Sequence, residues 1–145
     1  MTAPPRSPRA RRSGAVPDVD LVARTCAALA DPLRLRILAL LQQGEACVCD
    51  IHGSLGVPQP TASRHLAYLR RHGLVVGRKE GLWVHYRVAD DLPAMLQRAV
   101  DAVVHCVQHA PEASGDGRQL ARATGRRVIL RPAPTAGCCA PRVRT

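Results

Sequence analysis

Between residues 31 and 73 the chain is cut at short intervals by residues that start or stop helices, and this punctuation limits the fold more than any other feature. Asp31-Pro32 joins a good N-cap to the residue best tolerated in a first helical turn. Gly44 and Gly56 are stop signals, Pro58 reopens the chain and Gly73 closes it again. The intervals predict a helix after Pro32, a short one over about Cys47 to Leu55, and one from Pro58 to His72. Leu33, Ile37, Leu40 and Leu41 share a face of the first. In the last, Ala62, Leu66 and Leu69 cluster on one side while Pro60, Arg64 and Arg71 point the other way. The result is helix, tight turn, helix, with a cationic outer side.

The flanks complete the pattern. Val19, Val22, Ala23, Cys26, Ala27 and Ala30 recur at three- and four-residue steps, which predicts a helix from about Asp18 to Leu29. Leu74 to Lys79 and Leu82 to Val88 are rich in β-formers around a Glu80-Gly81 turn, the pattern of a hairpin. From about Asp91, Leu92, Met95, Leu96, Ala99, Val100, Val103 and Val107 give a final helix more apolar surface than one small domain needs, so it is expected to pair with a copy of itself. The fold class expected is mainly α with a β-hairpin: a winged helix-turn-helix that dimerises through its terminal helices.

Charge locates the working face. The chain of 145 residues carries +10, but residues 1–17 hold +4 and residues 111–145 hold +5. Both ends are rich in Pro, Gly, Ala and Ser, and both read as tails without fixed structure around a domain over 18–110. That domain carries only +1. Within it, Arg64, Arg70, Arg71, Arg78, Lys79 and Arg87 against Glu80 make positions 58–88 +5, the footprint of a nucleic-acid face. Tyr68, Trp83 and Tyr86 are the only aromatics, too few to stack single-stranded bases, so duplex DNA is the expected partner. No run approaches the ~18 apolar residues of a membrane span, and the Arg-rich start lacks the apolar core of a secretory signal. A cytoplasmic protein without a membrane partner is expected.

Cys47-Val48-Cys49-Asp50, then Gln59-Pro60-Thr61-Ala62-Ser63-Arg64-His65-Leu66, then Gly81-Leu82-Trp83-Val84-His85-Tyr86-Arg87 resemble the ArsR/SmtB family of metal- and metalloid-responsive repressors, most closely its arsenite-sensing branch. The resemblance covers residues 18 to about 110. It implies a homodimer that holds two operator half-sites and leaves DNA when a thiophilic ion binds. It also implies that Gln59, Thr61, Ser63 and Arg64 read base edges, Arg being suited to guanine and Gln to adenine, while Arg71, Arg78 and Lys79 follow the phosphates. Pro60 departs from the small polar residue more usual at that position.

Six cysteines in a cytosolic chain are expected to be reduced. Cys47 and Cys49 stand at the start of a helix, where free N–H groups and the dipole favour thiolate, against the opposing charge of Glu45 and Asp50. Two positions apart on an ideal helix, they point about 200° from one another, so one ion could bridge them only if the first turn unwound. Binding of As(III) or Sb(III) across both would then distort the support of the recognition helix. The family's third thiol, three residues after Cys49, is replaced by His52. Cys106 and the adjacent Cys138-Cys139 are accessory candidates, and Cys26 reads as a core residue.

His52 keeps a divalent reading open, with Cd(II), Pb(II) or Zn(II) as inducer. Asp101, His105 and His109, four residues apart, form a weaker metal pattern. Redox sensing through a Cys47/Cys49 disulfide is a third reading. An enzyme is not expected: the chain has neither a Gly-rich nucleotide loop nor a Cys/His/Asn set at catalytic spacing.

Overall fold

The computed structural model describes residues 16–125. In chain order they form α1 (Val19–Leu29), α2 (Pro32–Leu41), β1 (Ala46–Cys47), α3 (Val48–Leu55), α4 (Gln59–Arg71), β2 (Val75–Glu80), β3 (Trp83–Val88), α5 (Ala94–Gln108) and α6 (Pro111–Thr124). Both the helix-turn-helix and the wing read from the sequence are present.

α2 is the hub. Ile37, Leu38, Ala39, Leu40 and Leu41 are all buried, so the helix is covered on every side, and α1, α3, α4, α5 and α6 all pack against it. Its start is fixed by Asp31, whose carboxylate accepts from the Arg34 amide. The Arg34 guanidinium donates to the carbonyls of Ala28 and Ala27 at the end of α1 and lies 4.2 Å from the Tyr68 ring centroid. One cation thus pins three helices together.

The apolar stripe expected on α1 does not face the core. Thr25 and Ala28 are buried instead, the Thr25 hydroxyl donating to the Leu21 carbonyl, while Val19 is 82% exposed and Val22 and Cys26 are exposed too. Cys26 is therefore not a core residue. α5 divides its apolar surface: Leu96, Val100 and Val104 enter the core, and Met95 (65% exposed) and Val103 stay outside. An uncovered apolar face on each of α1 and α5 is what pairing with a second copy requires.

The expected domain boundary at residue 110 also needs correction. Residues 111–124 are not a tail: they form α6, which packs against α2 and α3. Pro111 opens it at a favourable position, and Ala113, Gly117 and Leu120 return at helical spacing toward the core. Asp116, only 5% exposed, takes two hydrogen bonds from Arg36 at 2.7 and 2.8 Å, and Arg36 also donates to the last carbonyl of α3, that of Leu55. The carboxylate beside it holds the Arg36 guanidinium above its ordinary pKa. Residues 1–15 and 126–145, with Cys138 and Cys139, lie outside the described residues.

The sheet has three strands in the order β1-β3-β2, all antiparallel. β2 and β3 are the expected hairpin, turned at Gly81, whose φ of 59° suits a residue without a Cβ. β1 is an addition: Ala46 pairs with Tyr86 and Cys47 with His85. Two residues of strand thereby tie the segment before α3 to the base of the wing.

Candidate functional site

Two groups of side chains follow from this frame. The first is the outer face of α4 with the wing. Gly56, in the left-handed region at φ 66°, ends α3, and its amide and that of Val57 return to the carbonyls of Gly53 and His52. α4 then buries Ala62, Leu66 and Leu69, as the periodicity required, and leaves Gln59, Arg64 and Arg71 exposed with Thr61 and Ser63 half-buried beside them. No side chain caps the start of α4, so the positive end of its dipole faces outward, where an anion is favoured. His65 sits on the flank, 3.7 Å from Asp31.

On the wing, Lys79 is exposed. Arg78 is 56% exposed but engaged: it donates to Glu45 at 2.5 Å and to Glu80 at 2.8 Å. These contacts raise the Arg78 pKa, and the Arg78 hydrogen bond holds the Glu45 carboxyl below its ordinary range. Arg78 is thus not an idle cation awaiting a phosphate. Glu45 carries no motif, and its partner stands 33 positions away. The alternation of Glu45-Ala46-Cys47 is the only trace of β1 in the sequence.

The second group is the thiols, where the structure changes the geometry. Cys47 is not in the helix: it is the N-cap of α3, with extended backbone (φ −72°, ψ 149°), and Cys49 lies in the first turn. The 200° separation of two helical positions therefore does not apply. The two thiols stand one at the cap and one in the first turn of the same helix, near enough to act on each other's charge. Cys47 is buried and Cys49 half-buried. Burial, then the neighbouring Cys47 thiol and the Asp50 carboxylate, push the Cys49 pKa above its ordinary value, so the dipole's pull toward thiolate loses.

The remaining candidates do not join this pair. His52 is held by the turn, its Nδ1 3.2 Å from the Val57 carbonyl. Cys106 is exposed in the last turn of α5. Asp101 is engaged by Gln97 and Gln42, while His105 and His109 meet through their Nε2 atoms at 3.4 Å. Among the described residues no three His, Cys, Asp or Glu side chains form a group that could hold a metal ion. Leu120, Ala121 and Thr124 at the end of α6 line one cleft with Gln43, Gly44, Glu45 and Ala46.

Comparison with known proteins identifies the family and the fold. The profile described as "Bacterial regulatory protein, arsR family" matches residues 31–76, from the N-cap of α2 to the start of the wing. Over 86 residues the chain is 46% identical to the arsenical resistance operon repressor of Escherichia coli, covering 59% of this chain and 74% of that protein. It is 44% identical over 79 residues to the arsenic resistance transcriptional regulator ArsR1 of Pseudomonas putida, covering 51% and 62%. Among solved structures it is similar to the homodimeric winged helix-turn-helix DNA-binding domain of a possible ArsR-family transcriptional regulator from Mycobacterium bovis. That likeness has a TM-score of 0.54 and 40% identity, over 63% of this chain and 82% of the other.

Proposed function

The chain belongs to the ArsR family of bacterial regulatory proteins, and from that premise we propose that it is a homodimeric repressor released from operator DNA when As(III) or Sb(III) bridges Cys47 and Cys49. Family and fold are those of DNA-binding transcriptional regulators and not of enzymes. No helix of the described residues is long and apolar enough to cross a membrane. The uncovered apolar faces of α1 and α5 form the dimer contact, which spaces two copies of α4 for two half-sites. Gln59, Thr61, Ser63 and Arg64 read bases, and Arg71, Arg78 and Lys79 meet phosphates.

The observation that carries the inducer reading is the placement of Cys47 as the extended N-cap of α3 with Cys49 in its first turn. A metalloid bound to both sulfurs ties the N-cap to the first turn, fixing α3, which supports α4, in a position that docks less well on DNA. Better binding to that conformation is all that release requires. The relatives named for arsenic resistance favour arsenous acid over a divalent cation. Each thiol that joins arsenous acid displaces one hydroxide as water, two for the pair and a third if another sulfur binds, so the thiol protons leave on hydroxide. A divalent cation must expel both protons into solvent. Cys138 or Cys139 is the candidate for a third sulfur, an adjacent thiol pair in a polar segment where packing gives no reason for cysteine.

A palindromic duplex selected from random-sequence DNA tests this by fluorescence anisotropy. Binding is expected to weaken with salt and to be lost on adding arsenite. Cys47→Ser and Cys49→Ser should bind the duplex as the wild type does and stay bound at saturating arsenite. Retention of the wild type at saturating arsenite overturns the reading. Release by Cd(II), Pb(II) or Zn(II) alone would move the inducer to that class, and release by peroxide without metal would make the pair a redox sensor.

Proton bookkeeping adds a second measurement. Because each thiol proton that leaves is taken up by a hydroxide of arsenous acid, the arsenite concentration for half release should change little over roughly pH 6.5 to 8. A divalent inducer would gain up to ~100-fold per pH unit from its two expelled protons. X-ray absorption on the arsenite-loaded dimer should count three sulfurs in the wild type and two in Cys138→Ser/Cys139→Ser; two in both would exclude the tail thiols.

A further inference from the structure

The pairing of β1 joins the thiols to the wing in a way that neither motif suggests. Cys47 stands opposite His85 on β3, and His85 stands opposite Arg78 on β2. Directly opposed residues of an antiparallel sheet share a face, so Cys47, His85 and Arg78 form one row across all three strands. A thiol stands at one end and a wing cation at the other. Glu45, two residues before Cys47, shares that face and reaches along the row. Its Oε1 accepts from Arg78 Nη2 at 2.5 Å and lies 3.9 Å from His85 Nδ1. Glu80, on the wing itself, holds the other side of the same guanidinium at 2.8 Å and lies 3.8 Å from His85 Nε2.

Arg78 therefore brings one positive charge between two carboxylates, and a phosphate approaching this part of the wing meets a net negative group. Contact with DNA requires Arg78 to leave at least one of them. The two carboxylates differ in what positions them. Glu80 rides on the hairpin turn, whereas the backbone of Glu45 runs directly into β1 and the Cys47 N-cap. An ion across Cys47 and Cys49 immobilises that N-cap and, through it, Glu45.

We infer that Glu45 is a positioning residue that couples the thiol site to the wing, withholding Arg78 from the DNA backbone and doing so more firmly when the two thiols are bridged. The inference rests on the inducer reading given above. Arg78 has two alternative partners, Glu45 and a phosphate, and inducer biases the choice toward Glu45. By linkage, DNA lowers the affinity for inducer by the same factor.

Anisotropy on the selected palindrome, with and without sodium arsenite, tests this with Glu45→Gln, Glu80→Gln and each of them combined with Arg78→Gln. Without arsenite, both single variants should bind DNA about threefold more tightly per half-site at low salt, the modest effect of an exposed ion pair. Only Glu45→Gln should also shrink the ratio of dissociation constants with and without arsenite, by about tenfold. Glu80→Gln should keep the wild-type ratio. In the Arg78→Gln background, Glu45→Gln should change nothing further. Arsenite stoichiometry on DNA-free Glu45→Gln should equal that of the wild type, so that weakened release reports coupling and not a lost site.

A wild-type ratio in Glu45→Gln, or an undiminished effect of that variant without Arg78, overturns the inference. A wild type that arsenite does not release overturns the inducer reading instead. The arsenite-free arm then still decides whether Glu45 withholds Arg78 from DNA.

Discussion

A chain ending at Ala110 is expected to lose about 4 kcal/mol of folding stability and to melt ~15–20 °C below the full chain at the same protomer concentration. The cut falls where composition alone ends the domain, yet it removes a helix that closes the core. Leu120, 6% exposed, and Ala113 belong to the same buried cluster as Ile51 and Leu55. Returning a leucine of that burial to water costs about 1.5–3 kcal/mol. Loss of Asp116 leaves Arg36 without its bidentate partner in a part-buried site, an effect of about 1–2 kcal/mol once its residual exposure is counted. Against a typical total of about 5–15 kcal/mol, the sum is severe. Thermal melts by circular dichroism, with a chain ending at Gly125 as control, measure it. Equal melting of the two shortened chains would mean that α6 contributes nothing. Asp116→Asn should account for roughly a third of the loss, since an amide keeps the shape of the site without its charge.

Arg64→Ala should weaken binding to the selected operator by about 100-fold or more while leaving the melting temperature unchanged. Arg64 is exposed on α4, opposite the buried Ala62, Leu66 and Leu69, so its side chain supports nothing in the fold. A bidentate contact with guanine discriminates by ~1–3 kcal/mol per half-site, and a symmetric dimer loses it twice. Arg64→Lys separates the two roles the residue could have. If Arg64 reads a base, lysine restores the charge but not the planar fork, and most of the loss remains. Substantial rescue by lysine would reassign Arg64 to the phosphates. Lys79→Ala should instead weaken all duplexes alike and flatten the salt dependence by about one unit per contact removed.

The elements that were legible in the sequence are those set by local chemistry. Asp31-Pro32, Gly56 and Gly73 bound α2, α3 and α4 within a residue or two because caps and left-handed glycines act over a single turn. The buried side of α4 was readable because its other side carries arginines. α1 misled for the opposite reason. Periodicity finds an apolar stripe but not what covers it, and the stripe with Val19 and Cys26 is the one left outside. α6 escaped notice because Gly115, Gly117 and a single large apolar residue give weak helix propensity, and packing on α2 and α3 supplies what propensity does not.

The candidate site divides along the same line. By itself the sequence determined that a thiol pair precedes a helix-turn-helix, that a cationic helix and hairpin follow it, and which residues point outward from α4. All of these depend on neighbours within a few positions. Only the tertiary structure decided that Cys47 caps α3 from an extended conformation, that Glu45 holds Arg78 across the sheet, and that the end of α6 lines a cleft with Glu45. These depend on strand register and helix docking between residues 33 to 80 positions apart, where the outcome is a sum of packing over the whole core that no short stretch of chain encodes.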